Sequence, residues 1–175
     1  MPLSRSRSHG DDGAAAVEFA LVSSLLFVLV FGIIQYGFYF NDSMDVRQGV
    51  REASRMGVVR NFATDSRCTS ASDDMAKLRC TTVVQVNPGV TAAQLTAGTS
   101  GVFVKVVRPS TWAKTQPLIV CAVTKSSGAT GLLPMPGDGY VSATTQMSIE
   151  QDATPLPTGT SVTDAGLPTG LTYPC

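Results

Sequence analysis

From Phe19 to Phe40 the chain runs for 22 consecutive residues without a charged side chain. About 20 apolar residues carry a helix across the hydrocarbon core of a bilayer. The polar members of this run, Ser23, Ser24 and Gln35, are few and uncharged. A buried helix of a soluble protein rarely runs this long without a polar face. The run therefore predicts a membrane-spanning helix. A cleaved secretory signal is the competing reading, but its apolar region is only about 7–15 residues and ends in small residues. Here the run ends in Gln35-Tyr-Gly-Phe-Tyr-Phe40, and the small residues Gly13 to Ala16 precede it.

The flanks give an orientation. Arg5 and Arg7 lie before the span, and positive leaders tend to stay in the cytoplasm. Arg47, Arg51, Arg55 and Arg60 follow it and act against that rule. The leader is too short to hold a domain, whereas the residues after Phe40 can form one. The expectation is a C-terminal part outside the cytoplasm, and residues 1–13, polar and rich in Ser and Gly, should be disordered.

Composition narrows the function. The 13 Lys+Arg balance 13 Asp+Glu, so no basic excess exists to hold a phosphate backbone, and nucleic acid is not expected as a partner. Charged residues make up 15% of the chain, against roughly 25% in an ordinary soluble domain. The single histidine is His9. If the leader is removed, Ser-His-Asp triads, Cys-His dyads and His-ligated zinc are excluded. No cofactor or metal is implied, and no catalytic residue stands out. Lys125-Ser126-Ser127-Gly128 reads as a turn rather than a Ser-Lys nucleophile. Asp65, Asp73 and Asp74 read as a solvated acidic loop without calcium-loop spacing. Trp112 and Tyr173 read as packing residues.

Glu18 stands at the front edge of the apolar run. A carboxylate within a membrane helix is costly and marks function. The bland reading is a side chain that reaches the headgroups or favours a helix N-terminus. Taken alone, Glu18 does not separate the two.

The stretch Gly13-Ala14-Ala15-Ala16-Val17-Glu18-Phe19, followed at once by the apolar run, resembles a type IV prepilin processing site. The wider pattern GAAAVEFALV, FGIIQYGFYF and VRQGVREASRMGVV is similar to the TadE-like family, minor pilin-like components of the tight-adherence (Flp) pilus system. A weaker echo runs from Leu132 to Glu150. Phe19 stands where the major pilins of such systems usually carry Tyr. The resemblance implies cleavage by a prepilin peptidase between Gly13 and Ala14, with Glu18 then fifth in the mature chain. It implies a partner for Glu18 in the new amine of Ala14 on a neighbouring subunit, which sets register between helices. Ala14 of the same chain, one turn away, is the alternative partner. The implied partners are the peptidase, other pilin subunits through the N-terminal helix, and the membrane.

No proline occurs between Pro2 and Pro88, so the helix can continue past Phe40 to about Val59. Val46, Val50, Ala53 and Gly57 share one apolar face. Gly32, Gly37 and Gly49 fit either close helix contacts or hinge points. After residue 60 the expected strands are Thr81–Val86, Val102–Val107, Pro117–Thr124 (or a short helix) and Tyr140–Ile149, with a helical turn at 73–79. In the last strand Val141, Ala143, Thr145, Met147 and Ile149 share a face. The expected fold class is α+β: the long helix laid on an antiparallel sheet of three or four strands. The expected organisation is a leader (1–13), a membrane half-helix (14–40), its soluble continuation (41–60), an exported sheet domain (61–152) and an irregular tail (153–175). Cys68, Cys80, Cys121 and Cys175 all follow the span, an even count suited to two disulfides. Of the three possible connectivities, Cys68–Cys80 and Cys121–Cys175 are expected.

These features point to a structural subunit of a tight-adherence pilus, exposed at the cell surface after passing through the inner membrane. An uncleaved, membrane-anchored envelope protein that binds or adheres is the second reading. An exported enzyme with histidine-free chemistry is the third.

Overall fold

The computed structural model describes residues 11–62, 65–128, 133–150, 152 and 154–175. The leader residues Arg5, Arg7 and His9, and Leu132, lie outside the described residues.

A single helix, α1 (Asp11–Val58), runs through the apolar segment and on into the folded domain. It ends one residue before the expected Val59. Residues 11–13 are helical rather than disordered, and the expectation for residues 1–10 lies outside the described residues. No proline blocks propagation back from the alanines, and Gly13 costs only about 1 kcal/mol in an exposed helix. Val46, Val50, Ala53 and Gly57 form the buried face, as their spacing requires.

The domain follows in the order α2 (Asp74–Val86), α3 (Ala92–Ala97), β1 (Val102–Val107), β2 (Pro117–Lys125), β3 (Tyr140–Ser148) and β4 (Val162–Thr163). The strands form one antiparallel sheet in the order β3-β2-β1-β4. The fold is α+β. Helix α1 packs on β3 and β2, and α2 fills the space between α1 and β1. Val104, Val106, Leu118, Val120, Ala122, Val141 and Ala143 face the helices and are buried.

Thr81–Val86 is the one expected strand that the structure overturns: it is the second half of α2. The Asp73 carboxylate accepts from the Ala76 amide at 2.8 Å and caps the helix. Met75, Leu78, Thr82, Val83 and Val86 then fall at helical spacing and are all buried. Thr82 donates to the Leu78 carbonyl within the helix at 2.7 Å, and Thr81 donates to the Phe62 carbonyl at 2.9 Å. Burial on two sides overrides the β preference of Thr-Thr-Val-Val. The Asn87-Pro88 pair ends the helix, since a residue before proline avoids the α region.

Glycine permits the closest helix approach. A Cβ on Gly49 would lie 2.9 Å from the Val86 amide nitrogen, and one on Gly57 would lie 2.6 Å from Leu118 Cδ2. Gly49 is thus a contact glycine, whereas a Cβ on Gly37 would meet nothing within 4 Å. Gly57→Val should lower stability by about 1–3 kcal/mol through overpacking. Chemical denaturation of the Gly57→Val and Gly37→Ala chains checks this; equal midpoints would contradict the contact.

The structure pairs Cys68 with Cys80 and Cys121 with Cys175. The first disulfide ties α2 to a 3-10 turn at Ser66–Cys68. Asp65 caps that turn through the Arg67 amide and grips the Arg67 guanidinium at 2.8 Å. Hydrogen bonds from the Arg67 side chain, then its amide, hold the Asp65 carboxyl at about 2. A depressed folded value stabilises the fold above the unfolded carboxylate range, near pH 4. That contribution drains as pH falls from about 4 towards 2. The melting temperature of the native chain should therefore drop more steeply over this window than that of Asp65→Asn. Identical slopes would remove Asp65 from the acid response.

Among its described residues the tail holds no regular structure beyond β4, which supplies the fourth strand that Thr81–Val86 was expected to give. Asp164 anchors it: its carboxylate accepts from the Val104 amide at 2.9 Å and from Arg79 Nε, and its carbonyl accepts from the Tyr173 hydroxyl at 2.8 Å. Burial, reinforced by the Asp164 charge, raises the Tyr173 phenol. Lys105 Nζ donates to the Cys175 carbonyl at 3.0 Å. Lys105 and Cys121 are register partners on the sheet face turned away from the helices. The tail is therefore a strap over the β1 and β2 part of that face, while Ser142, Thr144, Gln146 and Ser148 of β3 stay exposed.

Candidate assembly site

Two regions of α1 carry the chemistry that matters. The first is the apolar half. From Gly13 to Phe31 no residue is buried, and large apolar side chains point outward on every side: Val17 is 62% exposed, Phe19 74% and Leu25 71%. Ser23 and Ser24 donate back to the Ala20 and Leu21 carbonyls at 3.1 and 2.9 Å. Their hydroxyls thus need no water, a requirement of a lipid or close-packed surrounding. The helix is long and apolar enough to cross a membrane, by length and composition.

Glu18 and Phe19 lie on this surface, exposed. Among the described residues Glu18 has no hydrogen-bond or ion-pair partner. Gly13 and Ala14 are helical and exposed, and Ala14 precedes Glu18 by one turn. No described residue of the folded domain buries these four residues, and the four cysteines lie apart from them. A lone carboxylate on an apolar helix is costly to bury until a cation meets it.

The second region is a collar where the domain grips α1. Ser126 to Gly128, with Leu133 and Pro134, meets α1 between residues 32 and 42. Gln35, only 4% exposed, donates to the Leu133 carbonyl at 3.1 Å. The Tyr36 hydroxyl donates to the Pro134 carbonyl at 2.8 Å. One oxygen of Asp42 accepts from Ser126 Oγ at 2.6 Å, the Ser127 amide at 2.7 Å and Ser127 Oγ at 2.9 Å. Gly128 allows the approach, since a Cβ there would lie 2.8 Å from the Gln35 carbonyl oxygen. The Ser126-Ser127-Gly128 turn is thus occupied in docking the helix. The Asp42 contact has no signature in the sequence, because an acid and a serine pair so far apart carry no common pattern.

The other acidic candidates also have structural roles. Asp65 holds Arg67, Asp73 caps α2, and Asp74 lies 3.8 Å from Lys77. Among the described residues no group of three or more His, Cys, Asp or Glu is placed to hold a metal ion. Trp112 packs edge-on against Phe62, with ring centroids 6.1 Å apart.

Fold and site together define a disulfide-stapled α+β domain carried on a helix whose free half suits an apolar surrounding. Residues 13–55 match the model of the TadE-like protein family. The match bears out the resemblance read from the sequence, over about a quarter of the chain, and supports a protein associated with the tight-adherence pilus. That family is structural. No curated protein and no solved structure matches the chain.

Proposed function

We propose that this chain is a minor pilin-like subunit of a tight-adherence type IV pilus. In this reading residues 1–13 are a cytoplasmic leader, 14–40 the membrane half of the helix and 41–60 its soluble continuation. Residues 61–152 and the tail at 153–175 are exported. A prepilin peptidase cuts after Gly13, and the mature subunit enters the pilus through α1 and supports assembly or adhesion. The chain is a substrate, not a catalyst. Its partners are the peptidase, the membrane and other pilin subunits. The observation that carries the reading is Glu18, without a partner among the described residues, five residues beyond Gly13 on the stretch of α1 from Gly13 to Phe31 where no residue is buried.

N-terminal sequencing of the membrane-extracted protein tests it. Cells with an active prepilin peptidase should yield a chain beginning at Ala14. A chain still beginning at Met1 in such cells would sink the proposal.

The helix runs unbroken through the Gly13–Ala14 bond, which a peptidase must open before cutting. That geometry favours a second reading, an uncleaved anchor for an envelope protein that binds or adheres. Gly13 substitutions would then leave both size and function unchanged.

A further inference from the structure

Just past the apolar half, α1 carries a basic edge without partners among the described residues and an acidic edge bonded only within the helix itself. At 100° per residue, Arg47 and Arg51 lie about 130° around the axis from Asp45 and Glu52. Arg47, Arg51 and Asp45 are exposed. Neither arginine has an ion-pair partner among the described residues. Among the described residues Asp45 accepts only from Asn41, at 3.1 Å. Glu52 pairs with Arg55 at 2.6 Å, on the water-facing side of the helix. The Arg55 hydrogen bond lowers the Glu52 carboxyl.

The acidic edge is concave. Asp45 and Glu52 face Gln85, Val86 and Pro88 across a groove of about 420 Å³. Helix α2 ends at this groove with no basic residue in its last turn, so its negative pole adds to the carboxylates. Arg67 reaches the Pro88 and Val90 carbonyls, but Asp65 holds its guanidinium. The basic edge stands at matching height. Arg47 lies about 3 Å along the axis from Asp45, and Arg51 about 1.5 Å from Glu52.

We propose that the two edges form an interface between copies of this chain. Arg47 and Arg51 of one copy seat in the Asp45–Glu52 groove of the next, side by side, with little axial offset. The edges are different surfaces, so each copy offers a groove to one neighbour and a stripe to another. Such a heterologous contact propagates from copy to copy. The inference rests on α1 being embedded in the membrane, which aligns the copies in parallel, and does not require cleavage at Gly13.

The test uses the purified full-length chain in a neutral detergent, with chemical cross-linking and sedimentation. The native chain should associate at low ionic strength and dissociate in 1 M salt, where screening shortens to about 3 Å. Arg47→Glu/Arg51→Glu should weaken self-association roughly tenfold or more, and so should Asp45→Arg/Glu52→Arg. An equal mixture of the two variants should associate again, since each groove then meets a stripe of opposite sign. That restoration requires folded partners, and helical circular dichroism checks each variant. The proposal is overturned by a native chain that stays monomeric, by double variants that associate as well as the native chain, or by a mixture that stays dissociated. Association that appears only with added phosphatidylglycerol overturns it too, and makes the arginines a lipid-headgroup site.

Discussion

Chains carrying Glu18→Ala are expected to be cut after Gly13 like the native protein, yet to leave cells without pili. The carboxylate is exposed and has no cation among the described residues, on a helix with apolar side chains all round. When such helices pack, the charge is buried. Cleavage would place a positive amine on Ala14, one turn from Glu18 and within reach of a neighbour's carboxylate. Removing one member of a buried pair leaves the other uncompensated, a loss of about 3–5 kcal/mol per contact. N-terminal sequencing reports the cleavage, and electron microscopy of the cell surface reports the filaments. Normal pili on cells whose only copy is Glu18→Ala would take this carboxylate out of assembly.

The second large effect concerns the strap. The Cys121–Cys175 disulfide spans 54 residues, and losing closure of a loop that long costs about 4 kcal/mol in the chain-entropy account. The Cys68–Cys80 disulfide spans 12 residues, for which the same account gives about 3 kcal/mol. Cys175→Ser is the cleaner variant, because the Cys121 thiol left behind is fully buried and behaves as a small apolar group. Its denaturation midpoint should fall below that of the native chain in oxidising buffer. Reductant should then lower the native midpoint more than that of the variant. A variant as stable as the native chain would show that β4 and Asp164 hold the strap unaided.

What the sequence made legible follows from period and punctuation. Helix α1 was readable because one apolar run, the absence of proline and the Val46-Val50-Ala53-Gly57 spacing all agree. Strands β1, β2 and β3 were readable because β-branched density or alternation is bounded by Pro109, Pro117 and Pro136-Gly137. Thr81–Val86 misled because its residue types favour strand, while the deciding signals, the Asp73 cap and the burial of Met75 and Leu78, sit upstream. Strand β4 is two residues long, and such a pairing leaves no periodic trace. At the candidate site, Glu18 and Gly13 could be singled out because their meaning lies in spacing along the chain. The collar could not. Gln35 and Leu133 are 98 positions apart, and Asp42 meets Ser126 only once β2 has been aligned in the sheet.

That collar has a mechanical consequence. It clamps the domain to a helix that continues without interruption into the apolar half. The direction in which the sheet and strap face is fixed by the rotation of α1 about its axis. Each residue of the helix contributes a turn of about 100° and a rise of 1.5 Å. The distance from Glu18 to Gln35 therefore acts as a gauge: it sets the bearing and the height of everything beyond the clamp. Adding one residue between them, with every side chain otherwise kept, would point the domain in a different direction while Glu18 stayed in place.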